Sequence, residues 1–317
     1  MKPRPPAGVR HLVPVWLVGT LFALAGCAPG SAVSPPSPTA PAQTSATSTP
    51  PLTTGAAAST VPAVTAKPTA GPYSPAPAGD FASDLVEGLE VEVDQPFTDT
   101  IACGLGPCRI PLDILAPEGG ASLPTFVLVP GGPARFADRR YMDLLATGLA
   151  QRGAVVFLTT YRSRITNDDD AAALLDIRCA IRFARAHTTD HGGDPGRVVL
   201  VGHSYSSPLV IETGGIAEQP TPGCSSDADG VPGAIVALSL FDPTPALGTP
   251  NPLPFILACG SADTCSADGA AAALFLKSAG FTAEYREFEG IDHFGMVTPD
   301  TAGLLDMLFE AADLAGG

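Results

Sequence analysis

The strongest constraint on the fold is an alternation of two kinds of segment that starts near residue 89. Short runs rich in β-branched residues alternate with longer segments in which apolar residues recur at helical spacing. The predicted strands are Leu89–Val93, Ile110–Leu115, Thr125–Val129, Ala154–Thr159, Arg197–Val201, Ala234–Phe241, Phe255–Ala258 and Ala283–Phe288. The predicted helices are Arg139–Gln151, Asp170–His187, Tyr205–Ile216, Ala267–Ser278 and Thr301–Leu314. This order predicts an α/β protein with a mainly parallel sheet covered on both faces.

Composition divides the chain into three regions. Residues 1–26 begin with basic side chains and continue in an apolar run that is shorter than the about 20 residues of a membrane span, as in a signal peptide. After Cys27, 41 of the 52 residues in 28–79 are Pro, Ala, Ser or Thr. Such a segment cannot bury enough apolar area to offset its conformational entropy, so 27–79 is predicted to be a disordered tether. The 238 residues of 80–317 fit one folded domain.

Charge excludes one class of function. All 32 acidic residues but only 13 of the 17 basic ones lie after residue 79, which gives residues 80–317 a formal charge of −19. Binding to nucleic acid depends on Lys and Arg that neutralise phosphates. We therefore expect no nucleic-acid partner.

The first region ends in Leu24-Ala25-Gly26-Cys27. This sequence resembles the lipobox of bacterial lipoproteins, in which small residues precede a cysteine that receives a diacylglyceryl group. The resemblance implies lipidation of Cys27 and attachment to the cell membrane on its extracytoplasmic face. The alternative is an ordinary secretory signal with a chance cysteine.

A strand, a tight turn and a helix meet at Gly202-His203-Ser204-Tyr205-Ser206. The turn resembles the nucleophile elbow, G-x-S-x-G, of the α/β-hydrolase superfamily, although Ser206 replaces the second glycine. The preceding segment, 176–197, is similar to the helix and G-D-P-x-R turn of carboxylesterase-type hydrolases. The resemblance, to carboxylesterase, dienelactone-hydrolase and cutinase-like serine esterases, implies a mainly parallel eight-stranded sheet without a large cap domain, and a Ser204 that attacks carboxylic esters.

A nucleophilic serine needs a histidine base that a carboxylate orients. In this superfamily the chain order is serine, acid, histidine. His293 is the only histidine after Ser204, so it is the candidate base. Asp263, in the loop after a predicted strand, is the favoured acid. Asp242 and Asp292 remain alternatives.

The segment Val129-Pro130-Gly131-Gly132-Pro133 resembles the glycine loops of esterases that help to bind an oxyanion. Pro133 has no N–H to donate. The resemblance therefore implies that the backbone N–H groups of Gly132 and Tyr205 form the oxyanion hole.

Other polar residues receive less specific interpretations. His203 is expected to point away from the Ser204 hydroxyl, and His187 and His191 are read as helix-end or surface groups. No residue pattern indicates a metal or a cofactor. The six cysteines after Cys27 allow 15 disulfide pairings. Cys103–Cys108 and Cys259–Cys265 are locally closable, which leaves Cys179 with Cys224.

The sequence favours a membrane-anchored serine esterase. Its alternatives are an amide hydrolase with the same triad and a non-catalytic surface lipoprotein. The 13 residues of 242–254 include five prolines, too short and interrupted a segment for a helical lid. Short-chain esters, or esters exposed on a larger surface, are therefore the expected substrates.

Overall fold

The computed structural model describes residues 87–103, 106–132, 137–162, 170–218 and 222–317. The predicted signal, the predicted lipidation site at Cys27 and the predicted tether all lie outside the described residues. No helix in the described residues is both long enough and apolar enough to cross a membrane.

The described residues form ten strands: β1 Leu89–Pro96, β2 Ile101–Ala102, β3 Pro107–Cys108, β4 Pro111–Pro117, β5 Leu123–Val129, β6 Val155–Thr159, β7 Gly193–His203, β8 Ala234–Leu238, β9 Pro254–Gly260 and β10 Thr282–Phe288. Eight of them build one sheet in the order β1-β4-β6-β5-β7-β8-β9-β10, and β2 pairs with β3 separately. β4 runs against both of its neighbours, and the pairs from β6 to β10 are parallel. The predicted mainly parallel eight-stranded sheet is confirmed.

Five α-helices cover this sheet: α1 Asp143–Gln151, α2 Ala171–His187, α3 Ser207–Gly215, α4 Ser266–Ser278 and α5 Leu304–Ala315. Buried side chains of α2, α3 and α4 belong to one apolar cluster, and those of α1 and α5 belong to another. Successive side chains of a strand point to opposite faces of a sheet. In β5, accordingly, Phe126 and Leu128 join the α1/α5 cluster while Val127 joins the other.

Several element boundaries differ from the predictions, and those of β8 and α5 do so for physical reasons. β8 stops at Leu238 rather than at Phe241, because Ser239 has a φ of +55°. α5 begins at Leu304 rather than at Thr301, because Gly303 adopts a φ of +81° just before it. The helix predicted from Arg139 is a 3-10 turn to Met142, followed by α1.

The cysteines pair as the sequence suggests: Cys103–Cys108, Cys179–Cys224 and Cys259–Cys265 are disulfide-bonded. The second bond joins α2 to the segment before β8, with Cα atoms 4.9 Å apart. The third closes a loop between β9 and α4. Covalent closure restricts the unfolded chain, so each bond stabilises the fold.

The connection between β8 and β9, residues 239–253, contains no helix. In the described part of the chain, no helical cap is therefore inserted before β9. The carboxyl ends of the parallel strands are where an open α/β sheet places its ligand sites.

Candidate active site

Ser204 stands on a tight turn between β7 and α3. Its φ is +58°, a left-handed conformation that a side chain with a Cβ rarely adopts. The neighbouring glycines make the turn possible. A Cβ on Gly202 would lie 2.7 Å from the Val210 methyl groups, and one on Gly131 would lie 2.9 Å from the Ser204 Cβ. Close backbone approach therefore requires glycine at both positions.

Ser206 occupies the position where the motif usually has a second glycine. Its side chain is buried, and its Oγ accepts a hydrogen bond from the His203 N–H at 2.9 Å. The same hydroxyl donates to the Val129 carbonyl at 2.6 Å. The serine therefore fits because its hydroxyl links the turn to the end of β5.

His293 lies in the loop after β10 and contacts the other two proposed site residues. Its Nε2 is 3.0 Å from the Ser204 Oγ, and its Nδ1 is 2.8 Å from the Asp263 Oδ2. Asp263 lies in the loop between β9 and α4. Three residues far apart in sequence thus form one hydrogen-bonded chain, because parallel strands end at the same edge of the sheet.

The two alternative acids hydrogen-bond elsewhere. The Asp242 carboxylate accepts a bond from the Thr244 N–H at 2.9 Å, and the Asp292 carboxylate accepts one from the Gly295 N–H at 2.8 Å. Both are local turn contacts. Among the three aspartates, it is Asp263 that the structure brings to His293.

Electrostatics favour an ionised Asp263. Burial alone would raise the pKa of its carboxyl, but the hydrogen bond from His293, the Ser239 hydroxyl and the charge of His293 together hold that pKa below its usual value. The Ser239 Oγ is buried and makes no hydrogen bond among the described residues. We therefore assign the larger share of the effect to His293. An ionised carboxylate keeps the Nδ1 proton on the imidazole and leaves Nε2 facing the serine.

The two proposed oxyanion-hole residues flank the turn. Gly132, with a φ of +100°, directly follows the Gly131 that packs against Ser204. Tyr205 directly follows Ser204 in the chain, and these two residues line one cavity. Pro133 lies outside the described residues.

A cavity of about 300 Å³ opens beside Ser204. Its lining combines apolar side chains with three carboxylates: Asp170, Ser204, Tyr205, Pro208, Leu209, Glu212, Phe241 and Asp242. A larger cavity of about 460 Å³ lies between β1 and the end of α2, and Ser204 does not line it. The smaller cavity is therefore the one that can present a ligand to the serine.

Sequence reasoning gave no role to two further residues at the site, His203 and Tyr141. The His203 ring lies 4.6 Å from the His293 ring, centroid to centroid, and its Nδ1 is 3.0 Å from the Tyr141 hydroxyl. The sequence did contain a signal for His203, because a histidine at the end of an apolar strand and next to the nucleophile is expected to be buried close to the site. Nothing in the sequence indicates Tyr141, which precedes α1.

A group of possible metal ligands is formed by Cys259, Asp263 and Cys265, whose ligand atoms lie within 4.8 Å of one another. Both sulfur atoms are in the Cys259–Cys265 disulfide. Metal binding by cysteine requires the free thiolate. This group therefore does not fit a metal ion.

No family model matches the sequence. No curated protein matches it either.

Several solved structures that this chain resembles are described as esterases. A truncated carbohydrate esterase from gut microbiota has a TM-score of 0.56 and 15% identity, over 72% of this chain and 97% of its own. Esterase B from Lactobacillus rhamnosis has a TM-score of 0.57 and 15% identity, over 72% and 87%. A thermophilic esterase from Thermogutta terrifontis has a TM-score of 0.52 and 20% identity, over 72% and 92%. At these identities the similarity establishes the fold, which is the α/β-hydrolase fold.

Proposed function

We propose that this chain is a serine hydrolase that cleaves carboxylic esters through an acyl-enzyme. The hydrogen-bonded chain from Ser204 through His293 to Asp263, with distances of 3.0 and 2.8 Å, is the observation that carries the proposal. An ester carbonyl is a weak electrophile, and a serine hydroxyl attacks it only when a base removes the proton. The three structural neighbours described as esterases agree with this chemistry.

In the proposed reaction, the Ser204 Oγ attacks the ester carbonyl while His293 Nε2 takes the hydroxyl proton. The imidazolium then gives this proton to the leaving alcohol. Water attacks the acyl-enzyme with His293 again as base, and the carboxylic acid leaves. Asp263 stays ionised throughout and stabilises the imidazolium.

We place the oxyanion of the tetrahedral intermediate between the backbone N–H groups of Gly132 and Tyr205. The support is positional, since one residue follows Ser204 and the other belongs to the glycine loop beside it. Backbone donors of this kind stabilise negative charge that develops during attack.

Short acyl groups, or esters exposed on a larger molecule, are the proposed substrates. A cavity of about 300 Å³ is small for a long alkyl chain, and residues 239–253 form no helix that could cover one. Each methylene that stays in water forfeits about 0.8 kcal/mol of binding free energy. Extra chain length should therefore add little to the specificity constant.

The test uses the purified full-length chain with a fluorophosphonate probe and a series of nitrophenyl esters from acetate to palmitate, with a thioester, an amide and a polyester beside them. We expect one probe per chain, on the peptide that contains Ser204, and the highest kcat/KM on short esters. A chain that neither binds the probe nor hydrolyses any of these compounds would be a binding protein on this fold. Values that climb steadily to palmitate would contradict the size preference alone.

We further propose that the acylated Cys27 anchors the enzyme to the extracytoplasmic face of the membrane. The support is the Leu24-Ala25-Gly26-Cys27 pattern after a basic and apolar start. Incorporation of labelled palmitate, and detergent partitioning that Cys27→Ala abolishes, are the expected results. Unchanged partitioning of that variant would contradict lipidation.

A further inference from the structure

A buried histidine at the end of β7, directly before Ser204, contacts the loop that carries His293. His203 is the last residue of β7 and is fully buried. Its Nε2 lies 3.0 Å from the backbone oxygen of His293, and its Nδ1 lies 3.0 Å from the hydroxyl of Tyr141. The proposed reaction uses neither of these ring nitrogens.

The partners of the ring determine where its proton lies. A backbone carbonyl can only accept a hydrogen bond, so Nε2 of His203 must carry hydrogen and donate it to His293. A neutral imidazole then has a lone pair on Nδ1, which accepts the bond from the Tyr141 O–H. Burial, with the neighbouring His293, lowers the pKa of His203 to about 3. Burial, with the charge of Asp263, raises the pKa of Tyr141 to about 12. Both groups therefore keep these forms at neutral pH.

Two other hydrogen bonds connect the loop of His293, residues 289–294 (the base loop), to a different part of the site. The Gly290 N–H donates to the Ser261 Oγ at 2.8 Å, and the Ala262 N–H donates to the Ile291 carbonyl at 3.0 Å. They hold the base loop against the loop of Asp263. In the described part of the chain, the bond from His203 is the one that joins the main chain of His293 to β7.

We propose that His203 is a positioning residue that holds the main chain of His293 at the distance at which the base reaches Ser204, with the Tyr141 hydroxyl holding the His203 ring in the orientation that makes this bond. The inference rests on the proposed function. His203 directly precedes Ser204, so a bond from its ring transmits the position of β7 to the base loop. A neutral ring also suits this place, because a positive charge 4.6 Å from the His293 ring would oppose protonation of the base.

The first test replaces His203 by two residues of similar length. His203→Met removes the donor, and we expect kcat on a nitrophenyl ester to fall about 10- to 100-fold with KM changed less than about threefold. His203→Gln offers an amide N–H near the position of Nε2, and we expect it to stay within about fivefold of the wild-type kcat. Tyr141→Phe keeps the Nε2–H of His203 but removes the hydrogen bond that orients its ring, so a fall of about three- to tenfold is expected.

The control is Thr188→Val, which removes a buried hydrogen bond to the Thr125 hydroxyl, 2.6 Å long, at the opposite end of β7. We expect this variant to lower Tm without changing kcat. If His203→Met lowers Tm as the control does and keeps its kcat, the role is structural and the proposal is wrong. Equal losses in the Met and Gln variants would also overturn it. If His203→Met does not fold, an unchanged kcat in Tyr141→Phe decides against the proposal.

A second measurement does not depend on turnover. In nitrogen-15 NMR spectra of histidine-labelled protein, His203 should show a protonated Nε2 and an unprotonated Nδ1 from about pH 5 to 9. A charged ring, or the opposite tautomer, would refute the assignment even in an active enzyme. An inactive wild-type chain with the expected tautomer would instead contradict only the proposed function.

Discussion

The turn of Ser204 and the loop of Asp263 both position a side chain against His293, but different interactions stabilise them. Each follows a parallel strand and brings one polar side chain to His293. The turn between β7 and α3 has no disulfide, and it is stabilised by close packing at Gly202 and by the hydrogen bonds of the buried Ser206 hydroxyl. The loop between β9 and α4 is closed by the Cys259–Cys265 disulfide.

Burial explains this difference. Ser206 and Ser207 are buried, so the surrounding strands can impose the unfavourable φ of Ser204. In the loop of Asp263, residues 261–265 (the acid loop), Ala262 and Thr264 are by contrast exposed and have little to pack against. A covalent closure can order a loop that lacks such packing. A nucleophile thus needs a particular backbone conformation, whereas the acid needs only a side chain within reach of the base.

The largest expected effect lies in the turn. Ser204→Ala should lower kcat on a nitrophenyl ester by at least about 1,000-fold, because the nucleophile is gone while the rest of the site remains. Circular dichroism melts should show a folded protein. Retention of more than about 1% of the wild-type turnover would refute the nucleophile.

The acid loop gives the next effect. Asp263→Asn should lower kcat about 100- to 10,000-fold, because an amide can donate to Nδ1 and so favours the tautomer that blocks Nε2 as a base. The matched control is Asp242→Asn, at a cavity-lining aspartate that does not contact His293. We expect it to stay within about threefold on a neutral ester. The reverse ranking would move the acid to the end of β8.

Removal of the disulfide tests whether the acid loop depends on its closure. Replacing both Cys259 and Cys265 with Ser should cost about 2 kcal/mol of stability and lower kcat about tenfold, since Asp263 loses its fixed position. The matched variant replaces Cys103 and Cys108, a disulfide pair five positions apart in sequence, neither of which lines the cavity of Ser204. It should lower Tm and leave kcat unchanged. Equal activities for the two double variants would show that the acid loop is ordered without its disulfide.

A smaller effect is expected when the non-covalent support of the turn is weakened. Ser206→Ala removes the hydroxyl that links His203 N–H to the Val129 carbonyl. Loss of a buried hydrogen bond costs about 1–3 kcal/mol, so Tm should fall while kcat drops less than about tenfold. Thermal melts and ester kinetics on the same preparation measure both. A stable but inactive variant would mean that Ser206 has a role in the chemistry.

The two regions also differ in how far the sequence predicted them. The turn was predictable because its strand, its serine and its helix are adjacent in the sequence. The glycines beside it indicate that neighbouring backbone segments pack closely there. The choice of Asp263 over Asp242 was not settled by chain order, since each follows a strand, and it depends on where the strand ends lie relative to His293. The contact between His203 and His293 joins residues 90 positions apart. Local pattern carries no information about such a distance.

The last difference concerns the substrate. Most of the cavity wall comes from the turn and α3, and the described lining includes no residue of the acid loop. Three lining carboxylates (Asp170, Glu212 and Asp242) should favour an ester with a cationic group over an anionic ester of the same size. Exposed charge pairs contribute at most about 1 kcal/mol. We therefore expect kcat/KM for the cationic ester to exceed that for the anionic ester by a factor of about three to five, and this factor should shrink as salt is added.

Glu212→Gln should reduce this ratio of the two kcat/KM values, and Glu118→Gln, in the turn between β4 and β5, should not. A ratio that is insensitive to salt and to Glu212 would place the selection elsewhere. If the ratio instead changes in Asp263→Asn or in the Cys259/Cys265 double variant, the acid loop contacts the substrate. The view that the turn of Ser204 faces the substrate while the acid loop contacts only the base would then be wrong.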